Sequence, residues 1–254
     1  MPIYNARIVE VDAAETRRYA GLRKAENFGE KNIRDACAEA LLLLNVRGVW
    51  EIYDYDDANH TVASEPPFTI VGNSIIKHLA GCEKVICMSA TVGEEIEREV
   101  TKKFERGDYL ASVLLDAAAT AAVEQAADEM EKHFALTFAK DGFKLRWRFS
   151  PGYGDWNLTE QPKLFAAAGA RQIGLNLSSA FMLEPRKSIT AIIGLERATS
   201  KKICSPQKKS CGNVTLHPTD AIELEVYQAN SPRSNVENNS CRNCNRVDCP
   251  SRKI

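Results

Sequence analysis

The stretch from Asp108 to Phe138 constrains this chain most. Gly107 breaks the segment before it, Asp108 opens a helix, and no glycine or proline interrupts the residues that follow. Its middle, Ala117 to Ala127, is rich in alanine, which favours helix and lets a neighbouring backbone or a ligand approach closely. One long helix is therefore predicted here, and the other elements have to be arranged around it.

Those elements mix strands and helices without regular alternation. Ile3 to Val11 alternates and reads as a strand. Asp12 caps a short helix over Ala13 to Tyr19. Ile33, Cys37, Ala40, Leu41 and Leu44 recur at helical spacing. Val49 to Tyr55 reads as a strand and Phe68 to Val71 as a short edge strand. Asn73 or Ser74 caps a helix that Gly81 stops, and Val85-Ile86-Cys87-Met88 has the continuous apolar character of a buried strand. Thr91-Val92-Gly93 opens a helix to about Phe104. Thr159 to Ala168 reads as a helix, and Ser188 to Leu195 and Ala221 to Tyr227 as strands. The expected class is α+β, a twisted antiparallel sheet flanked by helices with an irregular cysteine-rich tail. Residues 1–227 are expected to form one domain and 228–254 the tail.

Phe143 to Phe149 is predicted as a strand with Lys144, Arg146 and Arg148 on one face and Phe143, Leu145, Trp147 and Phe149 on the other. Ser150-Pro151-Gly152-Tyr153 then has type II turn chemistry: proline presets φ at the second position, and glycine accepts positive φ at the third. Arg148 offers a planar fork for a carboxylate just before the turn, and Tyr153 a ring and a hydroxyl just after it. The same residues also read as an ordinary turn beside a surface arginine. Asp116 and Asp128, on the long helix, read as solvated or locally satisfied. Glu124 reads either as a solvated helix residue or as a carboxylate facing a ligand.

The run Arg148-Phe-Ser-Pro-Gly-Tyr153 resembles the Arg-x-x-Pro-Gly-Tyr signature of the activation domain of cobalamin-dependent methionine synthase, in its stand-alone form. Gly174-Leu-Asn-Leu-Ser-Ser-Ala-Phe-Met182 with Pro185 and Ser188 is similar to the family's next segment. Asp108-Tyr109 with the helix through Glu124, Cys82 to Gly93, and Asp12 to Leu22 also fall in the family's order. The likeness spans roughly residues 1–200. It implies S-adenosylmethionine binding, with Arg148 on the methionyl carboxylate and Pro151, Gly152 and Tyr153 lining the pocket. Glu124 is implied near the ligand's ammonium or sulfonium. It further implies that a donor such as flavodoxin or ferredoxin reduces cob(II)alamin, which S-adenosylmethionine then methylates. The sequence departs from the family where Leu-Thr-Glu-Ser becomes Leu177-Ser-Ser-Ala180, and where Lys201-Lys202 stand near the place of a ligand-contacting tyrosine. No Asp-x-His-x-x-Gly corrinoid motif is present, so the implied cobalamin belongs to a partner, a methionine synthase or another corrinoid protein.

Eight cysteines are present. Cys241, Cys244 and Cys249 have C-x2-C-x4-C spacing, and Cys211 or Cys204 can supply a fourth thiolate. Zinc would make this a structural clip and an iron–sulfur cluster an electron relay. A reduced tail without metal is the third reading. The tail thus supports an alternative function, a redox or assembly adaptor for a corrinoid methyltransferase with a vestigial pocket.

Other function classes have little support. A net charge of −1 and a pI near 6.5 give no global pull toward nucleic acid or anionic membranes. The apolar run around Ala40 to Leu44 is too short to span a bilayer. Met1 to Asp12 lacks the pattern of a secretory leader, so a cytoplasmic setting is expected. His60, His78, His133 and His217 show no paired metal spacing. No phosphate loop, nucleophile elbow or dinucleotide motif appears.

Overall fold

A computed structural model describes residues 1–198, except Glu26, and these residues form one compact unit. The predicted strand over Ala221 to Tyr227, the boundary at 227/228 and the tail cysteines lie outside the described residues.

The elements follow in the order β1 (Ile3–Tyr4), α1 (Ala13–Tyr19), α2 (Glu30–Leu43), β2 (Arg47–Asp56), β3 (Thr61–Val62), β4 (Phe68–Thr69), α3 (Asn73–Leu79), β5 (Cys82–Thr91), α4 (Glu95–Glu105), α5 (Tyr109–Ala139), β6 (Phe143–Leu145), α6 (Gln161–Ala167), β7 (Asn176–Leu177), β8 (Leu183–Glu184) and β9 (Ser188–Arg197). Seven strands make an antiparallel sheet in the order β4-β3-β2-β5-β9-β6, with β1 also paired to β2. The expected α+β class, an antiparallel sheet flanked by helices, is what the chain adopts.

The 31 residues of α5 form the long helix that the alanine run predicted, about 46 Å at the usual rise per residue. Asp108 caps it by accepting from the Ala111 N–H. Ala118, Ala119, Ala121, Ala122, Ala126 and Ala127 are all buried. In its C-terminal half, Ala127, Met130, Phe134 and Phe138 pack on Ile86, Met88, Ala90, Ala191, Ile193 and Leu195 of β5 and β9. Its N-terminal half packs on α1, α2 and α4 through Ile33, Cys37, Ala40, Ile96 and Leu115. By length and composition α5 could cross a bilayer, but 61% of its most apolar window is buried within this fold. The sheet's other face is covered by α3, α6 and the turn over 170–173, around Ile75, Leu79, Phe149, Trp156 and Leu164.

Several expectations need correction. The strand over Ile3 to Val11 is only Ile3–Tyr4, paired with Val49 and Gly48. Beyond Tyr4 the chain leaves the sheet and runs to α5, where Gln125 accepts from the Asp12 N–H and donates to the Glu10 carbonyl. Val11 is buried among helices, so its apolar character serves helix packing. Neither Asn73 nor Ser74 caps α3. Asp155 does, accepting from both of their backbone N–H groups at 2.7 and 2.9 Å. The helix after Gly93 begins at Glu95, and Leu158–Glu160 is a 3-10 turn ahead of α6.

The strand ending at Phe149 is corrected too. Leu145 pairs with Leu195, and the Arg146 N–H donates to the Gly194 carbonyl. Phe149 then exchanges both backbone bonds with Ile192. Trp147 and Arg148 therefore stand opposite the single residue Ile193, as in a β-bulge, and the facing of the side chains inverts there. Phe143 and Leu145 face α5, whereas Trp147 and Phe149 pack on the opposite face. Arg148 consequently shares the α5 side with Phe143 and Leu145.

Ala122 is fully buried where α5 meets its neighbours. Ala122→Leu is expected to destabilise the fold by about 1–3 kcal/mol through overpacking. Leu42→Ala, at a side chain 87% exposed, should stay within roughly 0.5 kcal/mol. Urea midpoints of the two variants check both values.

Candidate functional site

The bulge at Trp147–Arg148 aims a guanidinium at three carboxylates of α5. Arg148 Nη1 donates to Asp128 Oδ1 at 2.7 Å and to Glu131 Oε1 at 2.6 Å, and Nη2 donates to Glu124 Oε2 at 2.7 Å. Positions 124, 128 and 131 fall at i, i+4 and i+7, which places them on one helical stripe. The three side chains are between 26% and 39% exposed, so the cluster is half-buried and open on one side. Three carboxylates against one guanidinium leave two formal negative charges.

Burial would weaken the Arg148 charge, but the three carboxylates outweigh it and hold the guanidinium firmly protonated. Burial pushes the Glu131 carboxyl up from its ordinary range, which Arg148 opposes and Asp128 reinforces. Tyr19, at the end of α1, lies close enough to feel Glu124. Burial and that carboxylate push its phenol up to about 12. The Arg18 guanidinium stacks over the Tyr19 ring at 3.8 Å. Just before β9, Lys187 Nζ pairs with Asp116 at 2.8 Å and donates to Thr120. Asp116 and Asp128 are both satisfied, by Lys187 and Arg148.

The turn after Arg148 has the expected type II form. The Tyr153 N–H donates to the Ser150 carbonyl, and Gly152 sits at φ 92°. Ser150 Oγ ties the turn to the Thr190 carbonyl at 2.6 Å. Pro151 is buried and Gly152 exposed. Tyr153 is 53% exposed and meets the Phe149 ring edge-on at 6.4 Å. Arg148 and Glu124 are thus in direct contact, whereas Tyr153 leans on an aromatic group of the opposite sheet face, with Trp147, Trp156 and His78. Sequence reasoning missed Glu131 and Tyr19 and gave Asp128 no role. The heptad-like spacing from Glu124 to Glu131 was the available signal.

Among the described residues no group of three or more His, Cys, Asp or Glu side chains is placed to hold a metal. The ligand set Cys211, Cys241, Cys244 and Cys249 lies outside them. A cleft of about 420 Å³ between β4 and α6, lined by Pro66, Pro67, Phe68, Val71, Lys163 and Ala167, is mostly apolar and brings no reactive pair together.

No family model and no curated protein matches the chain. Among solved structures, its fold is similar to a crystal structure of the MetH reactivation domain bound to AdoHcy. The TM-score is 0.54 at 14% sequence identity, over 79% of this chain and 80% of that chain. At that identity the likeness is one of fold.

The raised Glu131 carboxyl gives a signed pH dependence. A carboxyl whose folded pKa lies above its unfolded value contributes stability that is complete below the unfolded pKa and is lost as pH rises through the folded one. Wild-type stability is therefore expected to carry a component that falls on going above pH ~4.5, the ordinary glutamate range. Glu131→Gln should flatten that component, as urea midpoints between mildly acidic and neutral pH will record.

Proposed function

We propose that this chain binds S-adenosylmethionine at the Arg148 cluster and supports the reductive methylation of cobalamin held by a separate corrinoid protein. The observation that carries this reading is the Arg148–Glu124 pair, held open to solvent at the head of the Ser150–Tyr153 turn. A zwitterion fits by inserting into that pair. Its carboxylate takes Nη2 of Arg148 in place of Glu124, and the released Glu124 carboxylate receives the ammonium. Asp128 and Glu131 keep Nη1 occupied, so the guanidinium stays oriented throughout.

The surplus negative charge selects further. S-adenosylmethionine carries a sulfonium that S-adenosylhomocysteine lacks, and two uncompensated carboxylates favour the cationic form. The exposed backbone at Gly152 offers a surface for the rest of the ligand. Likeness of fold to a domain whose solved structure holds AdoHcy supports the same assignment. The corrinoid, on its partner, would supply the nucleophile that accepts the methyl group. This chain's part is to hold the donor and keep its charges paired. A methionine synthase or another corrinoid protein is the proposed partner, and flavodoxin or ferredoxin the proposed reductant.

Calorimetry on the full chain tests the binding step. S-adenosylmethionine should bind more tightly than S-adenosylhomocysteine, and the difference should shrink with added salt. Arg148→Lys and Glu124→Gln should each weaken binding by about tenfold or more, the scale of one lost charge-assisted hydrogen bond. Unchanged affinity in both variants, with unchanged melting temperature, would remove Arg148 and Glu124 from the site.

A further inference from the structure

The sheet face turned away from α5 holds a guanidinium that no carboxylate among the described residues neutralises. Five arginines are half-buried among the described residues: Arg17, Arg18, Arg47, Arg146 and Arg148. Arg17 pairs with Glu30, Arg18 with Glu15, Arg146 with Glu196, and Arg148 with three carboxylates. Arg47 has no carboxylate partner, and its Nε is buried with no hydrogen-bond partner among the described residues. A cation half-removed from water without a counter-charge is the less stable arrangement, unless an anion completes it.

Its cross-strand neighbours are polar. Arg47 heads β2 and stands in one cross-strand row with Thr91 and Ser188. Those two hydroxyls are bonded to each other at 2.9 Å. In the next row Ser89, fully buried between Val49 and Thr190, also leaves its Oγ without a partner. Access comes from Gly174. A Cβ added there would lie 3.3 Å from Nη1 and 3.7 Å from Nη2 of Arg47. Gly174 sits at φ 80° and is exposed, so the two terminal nitrogens lie against a bare backbone at the surface while Nε is sealed beneath.

We propose that Arg47 is the anchor of an oxyanion-binding site that takes a group with two coplanar oxygens, a carboxylate or a phosphate. The guanidinium fork binds such a group through two parallel N–H···O bonds. The absence of a side chain at Gly174 leaves room for it. The site lies on the sheet face opposite Arg148, since Val49 packs on the cluster around Phe165 and Ile173 whereas Trp50 packs beneath α5. Its failure and the failure of the Arg148 reading are therefore separately visible.

The test is calorimetry and thermal melting of the full chain with sodium phosphate and, separately, sodium succinate, each against sodium chloride at matched ionic strength. At least one of the two should bind and raise the melting temperature above the chloride control, and the one that does identifies the oxyanion. Arg47→Met and Arg47→Gln should each weaken that binding at least tenfold and abolish the rise. Arg47→Met should melt in chloride at or above the wild-type temperature, because it removes an unpaired buried nitrogen. The proposal is overturned if neither anion exceeds chloride, or if the rise survives in the variants.

Discussion

The close seating of α5 on the helices and sheet around it is the contact on which the rest depends. Leucines at Ala118, Ala122 and Ala126 would hold the helix further from its neighbours, and the carboxylates of Glu124, Asp128 and Glu131 would move with it. Alanine serves two ends here. It lowers the cost of a 31-residue helix, and it keeps the polar stripe of that helix within hydrogen-bond reach of a strand at the sheet edge. The larger Met130, Phe134 and Phe138 pack on β5 and β9.

The bulge at Trp147–Arg148 is the second requirement. In a regular strand Arg148 would lie on the face opposite Phe143 and Leu145, away from α5. One extra residue opposite Ile193 turns it toward the helix and turns Trp147 and Phe149 into the other core. The same irregularity ends the strand early enough for Ser150 to bond the Thr190 carbonyl and start the turn. A half-buried charge cluster of this sort is costly unless each member is paired. Here the guanidinium is oversupplied with partners, so one carboxylate can be given up to a ligand.

Local chemistry was legible in the sequence, and pairing was not. Asp12 and Asp108 cap the helices expected of them because a cap depends on the next three residues. The turn at Ser150–Tyr153 follows from Pro151 and Gly152 alone. The strands β3, β7 and β8 span two residues each and carry no period to read. The bulge is set by the Phe149–Ile192 pairing, a contact with β9 more than forty residues away, so alternation along Phe143 to Phe149 gave the wrong face for Arg148. Asp155 capping α3 from outside the helix is invisible for the same reason. Arg47, likewise, stands out only once the β2–β5–β9 register puts it beside Thr91 and Ser188.

The most direct test of the central claim is a crystal structure of the chain grown with S-adenosylhomocysteine. The expected result is the ligand carboxylate on Arg148 Nη2, with Glu124 turned to the ligand ammonium and Asp128 and Glu131 still on Nη1. A ligand bound elsewhere, with Arg148 still holding all three carboxylates, would contradict it.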